Sequence, residues 1–151
     1  MKKVVSLVTI FVLCLTALAG CSGSKEVDLK TVLSDINSKY SLDLKELTDS
    51  NDLKKYYSID TEDVKQFAAE INSDSNSRVE IVLVEAVDAD AASRVNDALS
   101  KTYTSIVTQY SGYNAKKLPM VEACKVTQDG NYVTMIVADQ GPEILETFYG
   151  Y

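Results

Sequence analysis

The chain has 151 residues, 15 Lys plus Arg against 22 Asp plus Glu, a net charge of −7 and a hydrophobic fraction of 46%, which fits one globular domain and excludes a disordered, collagen-like or polytopic membrane protein. The negative balance argues against sequence-independent nucleic-acid binding, which needs a cationic surface, so no nucleic-acid partner is expected. There is no histidine, which removes Ser-His-Asp and Cys-His catalysis, His-ligated zinc or haem, and a histidine pH switch.

Lys2 and Lys3 precede an apolar run from Val4 to Thr16, the proportions of a secretory leader and too short to span a bilayer. The run closes on Leu18-Ala19-Gly20-Cys21, which resembles a bacterial lipobox: small residues fit the peptidase before the cut, and the Cys21 thiol accepts diacylglycerol. On this reading residues 1–20 are a cleaved signal peptide, residues 21–27 are the lipidated cysteine and a polar tether, and residues 28–151 are the folded domain. The plainer readings are an ordinary signal peptide with Cys21 as a structural thiol, or an uncleaved anchor. Of the three cysteines, Cys14 falls in the leader and Cys21 takes the lipid. Cys124 is then alone in the domain, which must hold together by its core.

Along the domain, Leu29, Val32, Leu33, Ile36 and Tyr40 behind Asp28 predict an amphipathic helix over 29–39. Residues 41–60 are polar and aperiodic, predicting loop with one helical turn near Leu53 to Tyr57. Val64 to Ile71 fits helix or strand, with the balance toward strand. Arg78 to Val87, dense in β-branched residues, predicts a strand covered on both faces for part of its length. Asp88 starts the longest helix, whose inner face carries Ala92, Val95, Leu99, Thr102, Ile106 and Tyr110 and which Gly112 should end. A loop to Pro119 should lead into a hairpin of Val121–Gln128 and Asn131–Ala138 about an Asp129-Gly130 turn. That turn sets Val126 against Val133, Cys124 against Met135, Thr127 against Tyr132 and Lys125 against Thr134, with Cys124 facing the core. Gly141-Pro142 opens a last helix with Ile144, Leu145 and Phe148 inward. The expected fold is a single small α+β domain, an antiparallel sheet of about four strands with helices packed mainly on one face.

The strand Val79-Glu80-Ile81-Val82-Leu83-Val84, the helix from Asp88 to Tyr110 with Tyr113 beyond it, and Gly130-Asn131-Tyr132-Val133 entering the last strand resemble the small bacterial lipoproteins grouped as domain-of-unknown-function family 4358. The resemblance covers roughly residues 30 to 148 and departs from the family pattern at Lys101-Thr102-Tyr103, where an arginine is expected. It implies lipoprotein identity and fold, and no activity.

Each residue pattern with chemical potential also has a plain reading. Glu80 and Glu85 are odd-spaced on an apolar strand and so point to opposite faces; a Glu80 carboxylate beside Val82 and Val84 suits acid or base chemistry, or, lying near the strand start, it reaches solvent or pairs with Arg78 or a helix lysine. Asp74 and Asn76 offer oxygens for calcium but lack the glycine and terminal glutamate of an EF-hand loop. Asp60, Glu62 and Asp63 read as turn and cap residues. Tyr56, Tyr57, Tyr110 and Tyr113 suit an interface or the core, and Tyr149 and Tyr151 near the end of the chain hint at a contact patch. Without a histidine, Cys124 reads as an apolar filler. No phosphate-binding glycine loop or nucleophile elbow is present, and neither a cofactor nor a metal is expected. The function expected is that of a lipid-anchored protein on the extracytoplasmic face of the cell membrane, binding an envelope protein, polymer or small ligand without catalysis. The alternatives are a carboxylate-dependent envelope hydrolase or lyase built on Glu80, and a calcium-dependent module.

Overall fold

The computed structural model describes residues 26–72 and 78–151. Leu18, Ala19, Gly20, Cys21 and the calcium candidates Asp74 and Asn76 lie outside the described residues. Helix α1, Leu29–Tyr40, begins where Asp28 accepts hydrogen bonds from the N–H groups of Lys30 at 3.0 Å and Thr31 at 3.4 Å, and it buries Leu29, Val32, Leu33 and Ile36. The four recur at helical spacing, so one stripe leaves water together.

The predicted loop over 41–60 is corrected by the structure. Strand β1, Lys45–Leu47, and helix α2, Ser50–Tyr57, occupy it, followed by a 3₁₀ turn at Thr61–Asp63. β1 has no period of its own. It exists because Lys45, Glu46 and Leu47 pair with Ile71, Glu70 and Ala69 of strand β2, Val64–Ile71. In α2, Leu53 and Tyr57 lie one turn apart and are both buried, and Asp49 caps it through the Asn51 N–H at 2.9 Å.

Strand β3, Glu80–Ala86, is buried at every position. Helix α3, Ala89–Tyr113, is capped by Asp88, which accepts from the Ala91 N–H at 2.7 Å, and buries Ala91, Ala92, Val95, Leu99, Ile106 and Tyr110. Thr102, expected inward, is half-buried. Gly112 does not end the helix: it lies inside the last turn with open space around it.

The expected strand start at Val121 is also corrected. Leu118–Ala123 forms a short helix, α4, with Pro119 in its first turn. The Tyr103 hydroxyl on α3 bonds the carbonyls of Val121 at 2.9 Å and Cys124 at 2.8 Å, fastening α4 by contacts that no local pattern contains. Strands β4, Lys125–Asp129, and β5, Tyr132–Val137, follow.

Their hairpin turns at Gly130-Asn131 rather than Asp129-Gly130. Gly130 takes φ 56° and Asn131 is not in the left-handed region, as in a type II′ turn with Gly first. Val126 therefore pairs with Met135, Thr127 with Thr134, Gln128 with Val133 and Lys125 with Ile136. The register moves by two residues, which preserves the side-chain alternation. Cys124 still faces the core, but from the end of α4, and Val126 takes the place opposite Met135. Helix α5, Gly141–Phe148, closes the described chain with Ile144 and Phe148 buried and Leu145 half-buried.

The five strands form one antiparallel sheet in the order β1-β2-β3-β5-β4, so the α+β single-domain fold holds with one more strand than the pattern shows. The expectation of helices mainly on one face is corrected: they cover both, because both faces of the central strands are apolar. Val82, Val84, Val133 and Met135 pack against α2, α3 and α4, while Ala68, Ile81, Leu83 and Ile136 pack against α1 and α5. Because both faces are covered, β3 in the middle has no polar side, which explains its unbroken burial.

Candidate binding site

The face under α1 and α5 carries a polar clamp at one end. Gln66 of β2 accepts from the Leu29 N–H at 3.2 Å and donates to the Val27 carbonyl at 2.8 Å and to Glu85, so one side chain pins the chain where it enters α1. Burial alone pushes the Glu85 carboxyl up, but hydrogen bonds from Lys65, Gln66 and Tyr132 outweigh it and hold the carboxyl below its ordinary range. Lys65 lies 2.8 Å from Glu85 and 3.9 Å from Glu26, so its charge is already answered.

Beside this clamp the tip of the β4–β5 hairpin meets the end of α5. Val27, Asp129, Tyr132, Phe148, Tyr149 and Tyr151 line a pocket of about 200 Å³. Phe148 makes edge-on contacts with Tyr132 and Tyr149, with ring centroids 6.5 Å and 5.6 Å apart. The two terminal hydroxyls are engaged outside the pocket: Tyr149 donates to Thr127 at 2.9 Å and Tyr151 to Asp35 at 2.7 Å. That leaves ring surface as wall. Asp129, exposed at the rim, is the charged residue of the lining.

Tyr149 also borders a second groove, of about 450 Å³, between β4 and α5, whose walls include Cys124, Ile136, Pro142 and Leu145. The Cys124 thiol is buried and donates to the carbonyls of Met120 at 3.3 Å and Ala138 at 3.5 Å. Burial pushes its pKa up, away from a reactive thiolate.

Glu80 lies on the opposite face. It is 3% exposed and its Oε1 accepts from the Arg78 guanidinium. Tyr110 fastens the same segment, its hydroxyl accepting from the Arg78 N–H at 2.7 Å. Glu80 Oε2 and the Tyr57 hydroxyl are both buried and lie side by side, without a hydrogen bond of good geometry to any group. Burial, and after it the Glu80 charge, raises the Tyr57 phenol far above its ordinary value. This is a fold-internal ion pair: of the plain readings of Glu80, the structure shows the Arg78 pairing and not the exposure to solvent. Tyr113 stands 92% exposed at the end of α3, outside the hydrogen-bonded group around Glu80, so the two named candidates are not brought together. Tyr56 is exposed, while Tyr57 and Tyr110 are core. Asp60 pairs with Lys54 and Asp63 with Arg94. Among the described residues no group of three or more acidic or cysteine side chains is placed to hold a metal ion.

Glu70, which the sequence does not single out, is a third buried carboxylate beside Glu80 and Glu85. It accepts from the Asn37 amide of α1 at 2.6 Å and lies opposite Glu46 across the β1–β2 pair. Desolvation raises its pKa above the ordinary 4.5, opposed by the Asn37 hydrogen bond and reinforced by Glu46. The folded state therefore binds more protons than the unfolded one between their two pKa values. This group's cost is absent below the unfolded value and grows as the pH rises through the folded value. Glu70→Gln should raise the melting temperature at pH 7 by about 3 °C, roughly 1 kcal/mol for a domain of this size, and leave it unchanged at pH 3. Equal effects at the two pH values in a calorimetric scan would show that Glu70 titrates normally.

The sequence reading noted Tyr149 and Tyr151 but missed Tyr132, Phe148, Asp129 and Val27 as their companions. Tyr132 reads locally as a strand residue and Phe148 as a helix core residue, and only the fold brings them together. A family model described as domain of unknown function (DUF4358) matches residues 37–138. No curated protein and no solved structure matches the chain.

Proposed function

The chain belongs to that family, DUF4358, and from this premise we propose that it is a bacterial lipoprotein whose domain is a non-catalytic binding module held at the extracytoplasmic membrane surface. Residues 1–20 are removed, Cys21 carries the lipid, and the aromatic pocket at the hairpin tip is the binding site. One observation carries the binding reading: four aromatic rings from β5, α5 and the residues after α5 converge on one pocket, with their outer hydroxyls already tied to Thr127 and Asp35. Rings held in place before a ligand arrives lose little entropy on binding.

The anchoring reading rests on Lys2, Lys3, the apolar run and Leu18-Ala19-Gly20-Cys21. It is supported by the position of Val27, whose carbonyl is held by Gln66. Six residues of chain from Cys21 reach at most about 20 Å, so a lipid on Cys21 keeps the pocket near the headgroups. Among the described residues no helix is long and apolar enough to cross a membrane. A carboxylate-dependent reaction draws less support, because the charge of Glu80 is answered by Arg78 in the core.

The test is Cys21→Ser in a cell that processes lipoproteins. Wild type should incorporate labelled palmitate and sediment with membranes. The variant should lose the label completely and move to the soluble fraction, since two or more acyl chains are what makes such anchoring stable. Label retained on the variant would overturn the assignment of Cys21.

A further inference from the structure

We infer that the aromatic pocket takes a small organic cation, an alkylammonium group, an inference that rests on the reading of this pocket as the binding site and names its ligand. Tyr132, Phe148, Tyr149 and Tyr151 supply four π systems around about 200 Å³, room for a methylated or primary ammonium head but not for a drug-sized molecule. The ring faces are electron-rich, and a cation within about 6 Å of a ring centroid is attracted to them.

The charges nearby agree with that sign. Asp129 is in the lining and Asp35 holds the Tyr151 hydroxyl at 2.7 Å. Lys65, the cation coupled to Tyr132, is 2.8 Å from Glu85 and 3.9 Å from Glu26, so it does not set the potential alone. An anion would face Asp129 with no lining cation to meet it. A purely apolar ligand would fill the space but leave the Asp129 carboxylate unused. The rings are fixed before binding. Phe148 is wedged edge-on between Tyr132 and Tyr149, and Tyr149 is tied to Thr127, which bonds Thr134 at 2.8 Å.

The experiment compares choline with its neutral carbon isostere, 3,3-dimethylbutanol, on the full chain purified in dodecyl maltoside, reading the methyl signals of each probe by saturation-transfer NMR. The two differ in charge and hardly in shape. Choline should bind about tenfold more tightly, within the range of a cation held by several rings. Asp129→Asn should weaken choline several-fold while moving the melting temperature little, its side chain being exposed; Tyr149→Ala should weaken choline several-fold too, with a lower melting temperature because the ring packs on Phe148 and bonds Thr127. Equal binding of the two probes would overturn the charge assignment while leaving the pocket a binding site. Binding of neither, or choline binding unchanged in both variants, would overturn the pocket itself, and the Cys21 experiment would still decide the anchoring independently. A further arm adds dodecylphosphocholine micelles: competition with free choline assigns the cation to a lipid headgroup, and no competition assigns it to a soluble amine, either result upholding an ammonium site.

Discussion

Arg78→Met should lower the unfolding free energy by about 3 kcal/mol, the low end of the range for stripping one partner from a buried ion pair. The asymmetry of the pair sets the size of the effect. The Arg78 side chain is 34% exposed and can recover hydration, whereas the Glu80 side chain is 4% exposed and cannot. Once the guanidinium is gone, the carboxylate stays buried beside Tyr57. The neighbouring Tyr57 hydroxyl replaces a guanidinium only in part. For a domain of this size the loss corresponds to a melting temperature lower by roughly 10 °C. The double variant Arg78→Met, Glu80→Met should recover most of it, because removing both charges removes the desolvation cost as well. Urea unfolding of the four species closes the cycle. A single Arg78→Met within about 0.5 kcal/mol of wild type would mean that Glu80 is reached by water and is free for the chemistry that a paired residue lacks.

The second large effect is expected at Gly141. In an exposed first helical turn Gly→Ala ordinarily stabilises by several tenths of a kcal/mol. At this position a methyl group would lie 2.6 Å from Cys124 Sγ and 3.5 Å from the Ile136 carbonyl. The sulfur has no easy retreat, being buried and hydrogen-bonded to the carbonyls of Met120 and Ala138. Gly141→Ala should therefore cost about 2 kcal/mol, the usual scale for overpacking a core. Cys124→Ala in the same chain removes the obstacle and should return at least half of that loss, a coupling visible in a thermal-unfolding cycle. Stabilisation by Gly141→Ala alone would show that α5 does not seat on Cys124 in solution. The same contact explains Cys124: it fills the space that a glycine leaves at the start of α5.

The match over residues 37–138 takes in the whole sheet and α3 but begins after Val27 and stops before α5, so of the pocket's lining only Asp129 and Tyr132 fall within it, and Val27, Phe148, Tyr149 and Tyr151 lie outside. The family membership thus speaks for the scaffold, and the binding proposal stands on this chain's own residues.

What the sequence determined by itself is whatever a short stretch encodes in periodicity or in the chemistry of a cap. Asp28 and Asp88 start α1 and α3 because each carboxylate meets free N–H groups within its own first turn. The burial of β3 is legible because its apolar residues are contiguous, and the opposite aims of Glu80 and Glu85 follow from their odd spacing. Tertiary structure decided the rest, where the competing local signals are weak. β1 is three residues long and becomes a strand only through β2. Residues 118–123 are helical with Tyr103 bonded to their carbonyls. The hairpin chose Gly130-Asn131, since an adjacent Asp-Gly and Gly-Asn offer two turns and the choice falls to the pairing of β5 with β3 as well as β4. The pocket is the extreme case. Its residues come from before α1, from the hairpin tip and from the end of α5, and each is explained locally by something else. Their convergence is set by the packing of α5 and α1 on one face of the sheet, a long-range arrangement that no window of sequence contains.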